Sequence, residues 1–146
     1  MPKVEVNGIA MEYQHQGPNT GGRETIIFAH GAGGNLLSWF QQIPYFSRQY
    51  DCITFSHRGF GHSYDVKNGS VMKYFPDDLR CLMDALEIQS AHLVAQSMGG
   101  RTALGFVVDH PERADDTCSY RMNRLDRLER LDQGSPAKGH SVSCPT

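Results

Sequence analysis

The chain has 146 residues, a length that suits one domain around one hydrophobic core. Its 39% hydrophobic and 21% charged residues are the composition of a globular protein, not of a chain disordered throughout or of a membrane protein. A formal net charge of −2, with no basic block to neutralise phosphates, argues against a nucleic-acid partner.

The opening "MPKVEVNGIAMEY" lacks a basic stretch followed by an apolar core, so no secretory signal is read there. No apolar run reaches the roughly 20 residues of a spanning helix. The expectation is a cytoplasmic protein with no membrane partner. Cys52, Cys81, Cys118 and Cys144 stand far apart and form no C-x-x-C pair, so spacing supports neither a metal site nor a redox motif. Free thiols are expected in that compartment.

In chain order, "VEVNGIAMEYQHQG" alternates around Asn7-Gly8, a pair that favours a two-residue hairpin turn. "TIIFAH" is a β-rich apolar run of the kind buried on both faces of a parallel sheet, and it ends in the glycine-rich "GAGGN". "LLSWFQQIPYFSRQY" reads as a helix up to Pro44, and "DCITFS" as another buried strand closed by the loop "HRGFGHSYDVKNGS". "MKYFPDDLRCLMDALEI" is a predicted helix. Pro76 suits its first turn, Asp77 and Asp78 suit its positive end, and Leu79, Leu82, Met83 and Leu86 make one apolar stripe. "AHLVAQS" is a third buried strand, and "MGGRTALGFVVDH" a helix closed by Pro111. Strands and helices alternating at this spacing predict parallel strands joined by right-handed crossovers.

The character changes after Arg113. Residues 114–146 contain no β-rich apolar run and read as an atypical polar tail. Met122, Leu125, Leu128 and Leu131 recur every three residues and drift around a helix, giving at best a short charged one before an unstructured end. The strand pattern thus covers residues 1–113 and leaves the outer edge of "AHLVAQS" unpaired, an invitation to self-association.

Ser97 follows a buried strand and precedes a helix, with Gly99 and Gly100 close behind. This is the setting of a nucleophile elbow, where a sharp turn lifts a hydroxyl above the strand ends and needs small neighbours. Gly99 meets that need on one side, and Ala95 stands where the G-x-S-x-G pattern has glycine. Such a turn aims the Met98 N–H at the place where an oxyanion would form, and one N–H of "HGAGG", that of Ala32, could be the second donor. His30, Gly31 and Gly33 of the same loop lie where a substrate would approach. The alternative for Ser97 is a junction serine with no chemistry.

Three motifs in this order, "HGAGG", "HRGFGHS" and "AQSMGG", resemble the N-terminal half of the α/β-hydrolase fold family, in particular its esterases, enol-lactonases and carbon–carbon bond hydrolases. The second motif is usually written D-x-R-G-x-G-x-S in that family; here Ser56 replaces the Asp and His57 precedes Arg58. The resemblance implies a parallel-sheet α/β fold, truncated after the helix that follows the elbow. It implies a serine nucleophile attacking a small ester, lactone or related carbonyl substrate through an acyl-enzyme, with no metal and no organic cofactor.

In this family the triad runs as Ser, then an acid, then His. After Ser97 the histidines are His110 and His140, and Asp109, Asp115, Asp116, Asp126 and Asp132 match no family position. A chain lacking base and acid would be impaired, so a non-catalytic small-molecule binding protein and an inactive truncated fragment stay open as alternatives. Among the other candidates, His30 reads as a structural histidine bound to its own loop. Arg58, Gly59 and Gly61 read as shaping and holding their turn, His57 and His62 as exposed. Trp39, Phe40, Tyr45 and Phe46 suit either an acyl pocket or packing against the sheet.

Overall fold

The computed structural model describes residues 1–18, 22–65 and 72–120, the last three by their backbone. Strands β1 (Lys3–Val6) and β2 (Ile9–Gln16) form the predicted antiparallel hairpin, with Asn7 and Gly8 at φ 44° and 78°. Two successive positive φ values match the twist of the flanking strands. β2 joins an otherwise parallel sheet made of β3 (Thr25–Ala29), β4 (Asp51–Phe55) and β5 (Ala91–Gln96).

A sixth strand, β6 (Ala114–Tyr120), pairs parallel with β5 and completes the order β1-β2-β4-β3-β5-β6. This corrects the expectation that the strand pattern ends at Arg113. "ADDTCSY" lacks an apolar run because a strand at the margin of a sheet needs only one partner, and charged side chains are compatible with that position. The Ser90 hydroxyl donates to the Asp115 carboxylate at 2.8 Å. Among the described residues the outer edge therefore belongs to β6, not β5. The drifting leucines and the unstructured end expected further on lie outside the described residues.

The alternation along the parallel strands decides the layers. Ile27, Ala29, Ile53, Phe55, Leu93 and Ala95 share one core with two helices, α2 (Phe75–Ala85) and α3 (Met98–Asp109). From α2 come Leu79, Leu82 and Met83, three of the four residues of the predicted stripe, all buried; the fourth, Leu86, is half-buried against them. Ile26, Phe28, Cys52 and Val94 form a second core with Trp39, Ile43 and Phe46. Both faces of the parallel strands are covered, as their unbroken apolar runs require.

The predicted single helix before Pro44 is instead two short pieces. A 3-10 turn, Leu36–Trp39, is capped by Asn35 and Ser38 in a reciprocal box, and α1 (Ile43–Phe46) begins with Pro44 in its first turn. Proline has no N–H to donate, so it opens the second piece rather than closing the first. The division buries Trp39 and Phe46 around Phe28 and leaves Phe40 and Tyr45 exposed, so packing accounts for only half of that aromatic set.

One buried ion pair ties the hairpin, the loop after β4 and α2 together. Arg58, 3% exposed, donates through Nε and Nη2 to the Asp78 carboxylate at 2.9 and 2.6 Å. It also donates to Asp65 and to the Asn7 carbonyl, both at 2.8 Å. Asp78 sits in the first turn of α2 as expected, yet its carboxylate is spent on Arg58 and on the Asn7 amide rather than on the helix end alone. Replacing Asp78 by alanine takes two of the buried guanidinium's hydrogen bonds and leaves Asp65 as its carboxylate partner. Urea unfolding of Asp78→Ala is expected to show a loss of about 3–5 kcal/mol, whereas Asp77→Ala, which breaks only exposed pairs with Arg80, costs under about 1 kcal/mol.

Candidate active site

The β3–β5 pairing assembles the site. Ala29 lies opposite Ala95 in the parallel register, so the loop that follows β3 and the turn that follows β5 emerge side by side at one end of the sheet. Ser97 is in that turn, at φ 48° and ψ −111°, a conformation a non-glycine residue adopts only at a cost of about 1–3 kcal/mol. The residue is exposed, and no described side chain hydrogen-bonds its hydroxyl. A regular strand or helix would have buried or paired it; this bend holds it out.

Gly99 makes the close approach possible. A Cβ there would strike the carbonyl of Ala29 and come within 2.8 Å of that of His30, so a side chain would push α3 away from the end of β3. On the other side of the elbow, Ala95 is fully buried among Ala29, Ala103 and the rest of the core, and its methyl group fits where the family pattern has glycine. The loop His30–Gly34 borders the elbow: an added Cβ on Gly31 would already be 3.4 Å from the Gln96 carbonyl. Ala32 and Gly33 are exposed. Among the described residues neither the Ala32 N–H nor that of Met98, the first residue of α3, has a hydrogen-bond partner.

His30 is fully buried, and both its ring nitrogens are engaged. Nδ1 donates to the Gly31 carbonyl at 2.7 Å and Nε2 accepts the His57 backbone N–H at 3.0 Å. That pattern defines the neutral ring with its proton on Nδ1. Burial pushes the His30 pKa down, against the opposing pull of the Gly31 carbonyl and the Glu12 charge. The ring is thus the structural histidine of the sequence reading, with both nitrogens spent on the backbone of Gly31 and His57.

His57 departs from expectation. It is 1% exposed, not a surface residue, and packs between His30, Phe55 and Phe75. Its Nε2 pairs with the Thr102 hydroxyl of α3 at 2.8 Å, while Nδ1 has no partner among the described residues. Burial, then repulsion from His30, pushes its pKa well down. A loop histidine shows no apolar periodicity, so nothing local signals that it turns inward; Thr102, one turn beyond the elbow, was equally unsignalled. His62 is exposed as expected, with 69% of its side chain accessible, though its ring reaches the Glu12 carboxylate.

His110 caps the far end of α3 and accepts no role at the serine; its N–H bonds the Phe106 carbonyl. His140, Asp126 and Asp132 lie outside the described residues. Cys52 and Cys81 carry free thiols, and burial with the neighbouring Asp51 charge pushes Cys52 up to about 12. Among the described residues no helix is long and apolar enough to cross a membrane, and no three His, Cys, Asp or Glu side chains are placed to hold a metal ion.

This arrangement is that of a hydrolase fold, a parallel sheet with a strained serine turn beside a glycine-rich loop. Residues 24–116 match the α/β-hydrolase fold family, and the chain belongs to it. The chain is 31% identical over 104 residues to a Caulobacter vibrioides protein that bears the name carbamate hydrolase RutD, a match covering 70% of this chain and 39% of that one. It is 35% identical over 91 residues to 3-oxoadipate enol-lactonase 2 of Acinetobacter baylyi, covering 62% and 34%. The enol-lactonase of Burkholderia xenovorans superposes with a TM-score of 0.75 at 28% identity, over 80% of this chain and 45% of the other. The chain therefore spans less than half the length of the relatives it matches.

Two outcomes follow from the packing. Gly99→Ala is expected to lower stability by about 1–3 kcal/mol in thermal unfolding, because the helix gains a methyl group that has no room. The buried neutral rings predict an acid-sensitive fold. The unfolded chain takes up protons near the ordinary histidine value of 6.5 while folded His30 and His57 resist them. Stability is then greatest above pH 6.5 and falls as pH drops below it. The acid limb of His57→Gln is expected to be shallower by up to about 1.4 kcal/mol per pH unit, measured by urea unfolding across pH.

Proposed function

We propose that this chain carries the nucleophile and the oxyanion hole of a serine hydrolase for a small ester, lactone or related carbonyl compound. The observation that carries the reading is the Ser97 bend: an exposed hydroxyl with no partner among the described residues, at the start of α3 and next to the loop His30–Gly34. In this reading the Ser97 oxygen attacks the carbonyl carbon, and the carbonyl oxygen, taking negative charge, accepts hydrogen bonds from the N–H groups of Ala32 and Met98. Collapse of the adduct expels the leaving group, which takes up the proton Ser97 gave up, and leaves the acyl group on Ser97; water then attacks that acyl carbon, releasing the acid and restoring the Ser97 hydroxyl. Each oxyanion donor of this kind contributes about 10²–10³ in rate. The backbone of His30, Gly31 and Gly33 borders the approaching substrate, and no room need be made for a side chain there.

The named activities of the relatives, on carbamates and enol-lactones, support small carbonyl substrates as the class. A serine hydroxyl needs a base, and no described histidine or carboxylate bonds it. A serine without base and acid retains only about 10³–10⁴-fold catalysis over water, so in this reading the described residues alone make an impaired enzyme. The same bare hydroxyl supports the second reading, a protein that binds a small molecule without turning it over. Self-association, expected at an unpaired edge, would use β6, where Asp115 and Asp116 set like charges against each other in a pairing of two copies.

An alkyl fluorophosphonate separates the readings. Ser97 oxygen attack on phosphorus, with loss of fluoride and of the hydroxyl proton to solvent, is expected to label wild-type protein at Ser97, more slowly than a serine with its base in place, and to leave Ser97→Ala unlabelled, as read by mass spectrometry of the peptide. A folded wild-type protein that takes no label, while the Acinetobacter enol-lactonase does, would retire the catalytic reading in favour of binding.

A further inference from the structure

The loop after β4 carries Ser56 at the position where its motif has a carboxylate, and the fold supplies a buried carboxylate from a different strand. Glu12 of β2 is 3% exposed. Its Oε1 accepts the Ser56 hydroxyl at 2.6 Å and the His62 backbone N–H at 2.9 Å; its Oε2 meets the His62 ring at 3.0 Å. The backbone of the same residue is used as well. The Glu12 carbonyl accepts the Ser56 N–H at 3.1 Å, and the Glu12 N–H donates to the Ser63 hydroxyl at 2.9 Å. Every one of these partners belongs to the segment 56–63, which wraps the carboxylate. Gly61, at φ 53°, lies so close that a Cβ there would strike both Glu12 Oε1 and the Ser56 hydroxyl.

The Ser56 hydroxyl gives its own proton to Glu12 and in turn accepts the Leu36 N–H at 3.1 Å. Leu36 opens the 3-10 turn immediately after the loop that carries Ala32. A relay thus runs from the Glu12 carboxylate through one hydroxyl to the root of the loop beside Ser97.

We infer that Glu12 is a positioning residue: it stands in space for the carboxylate missing at position 56, and through the Ser56 hydroxyl it sets the 30–36 loop at the elbow. The part of this inference that concerns the elbow rests on the oxyanion reading above; the exchange of the carboxylate between two positions does not. Burial by itself would raise the Glu12 pKa, but the hydrogen bonds from Ser56 and from the His62 backbone and ring, with the His62 charge, outweigh it and hold Glu12 lowered and ionised at neutral pH. The other charged or titratable groups around it are His30, whose pKa its charge pulls up, and Lys3, which donates to the His62 carbonyl at 3.0 Å.

The test uses four variants of the whole chain and two readouts that need no reactive serine: thermal melting, and hydrogen exchange at the Leu36 amide. Glu12→Gln is expected to lower the melting temperature and speed Leu36 exchange at least tenfold. Ser56→Asp in the presence of Glu12 puts two carboxylates in contact, so its melting temperature should lie well below that of wild type at pH 7, and the gap to wild type should narrow as pH falls toward 5. The double variant Glu12→Gln with Ser56→Asp should recover both melting and Leu36 protection at pH 7 and lose that acid-side narrowing. Ser56→Ala, which keeps the carboxylate and cuts the relay, should speed Leu36 exchange; it also serves if Glu12→Gln does not fold. A double variant no better than the sum of its singles, or Leu36 protection untouched by Ser56→Ala, overturns the inference. If these results hold while Ser97 takes no fluorophosphonate, the hydrolase reading fails and the carboxylate exchange stands; labelled Ser97 with an indifferent Leu36 is the reverse.

Discussion

The parallel pairing of β3 with β5, drawn tight by the missing side chain at Gly99, is the constraint on which the rest depends. Main-chain hydrogen bonds bring Ala29 beside Ala95, and whatever follows each strand must then emerge at the same place. Because α3 starts almost in contact with the carbonyls of Ala29 and His30, the chain after Gln96 has no room for a gradual turn. The positive φ at Ser97 is the geometric consequence, and its cost is met by the two apolar cores on either side of the strands. A serine exposed on a bend and an amide-rich loop beside it are one feature of the backbone rather than two.

Around this bend the polar groups are sorted by charge. His30 and His57, nearest the strand ends, are buried with their pKa values pushed down, and they serve as fixed neutral hydrogen-bond partners. Farther out, Arg58 pairs with the Asp78 carboxylate and the Glu12 carboxylate meets the His62 ring, and both contacts join the segment after β4 to another element. Such pairs contribute little net stability when weighed against apolar replacements, but a single deletion leaves an uncompensated charge. Their visible effect is to define one position for the segment 56–65 against β2, α2 and the loop after β3. Membership of the α/β-hydrolase fold family describes the scaffold; the Glu12 carboxylate on β2 is what the segment 56–63 wraps.

The aromatic segment between β3 and β4 shows how a local pattern can be read correctly and still be divided by packing. Leu36, Trp39, Ile43 and Phe46 are all inward, at spacings a helix would give, yet the backbone breaks between Trp39 and Ile43. The sheet surface they cover is twisted, and Pro44 supplies a start where a continuous helix would need a donor. Helical character was legible in the sequence here, and the break in it was not.

Much of the fold, and the bend at Ser97 on which the candidate site is built, was legible because the signals are local. Buried parallel strands announce themselves as apolar runs, the hairpin by Asn7-Gly8, α2 by Pro76 and its stripe, and the elbow by a small-residue cluster around Ser97 at a strand-to-helix junction. Each depends on covalent geometry or on the period of one element, which neighbouring residues alone determine. Only the tertiary structure decided that β6 exists, that His57 turns inward, and that Glu12 serves the loop 44 residues away through Ser56. An acidic marginal strand, a loop imidazole and a lone carboxylate have no pattern of their own; their free energy in the fold comes from partners distant in the chain, and no reading along the sequence contains those distances.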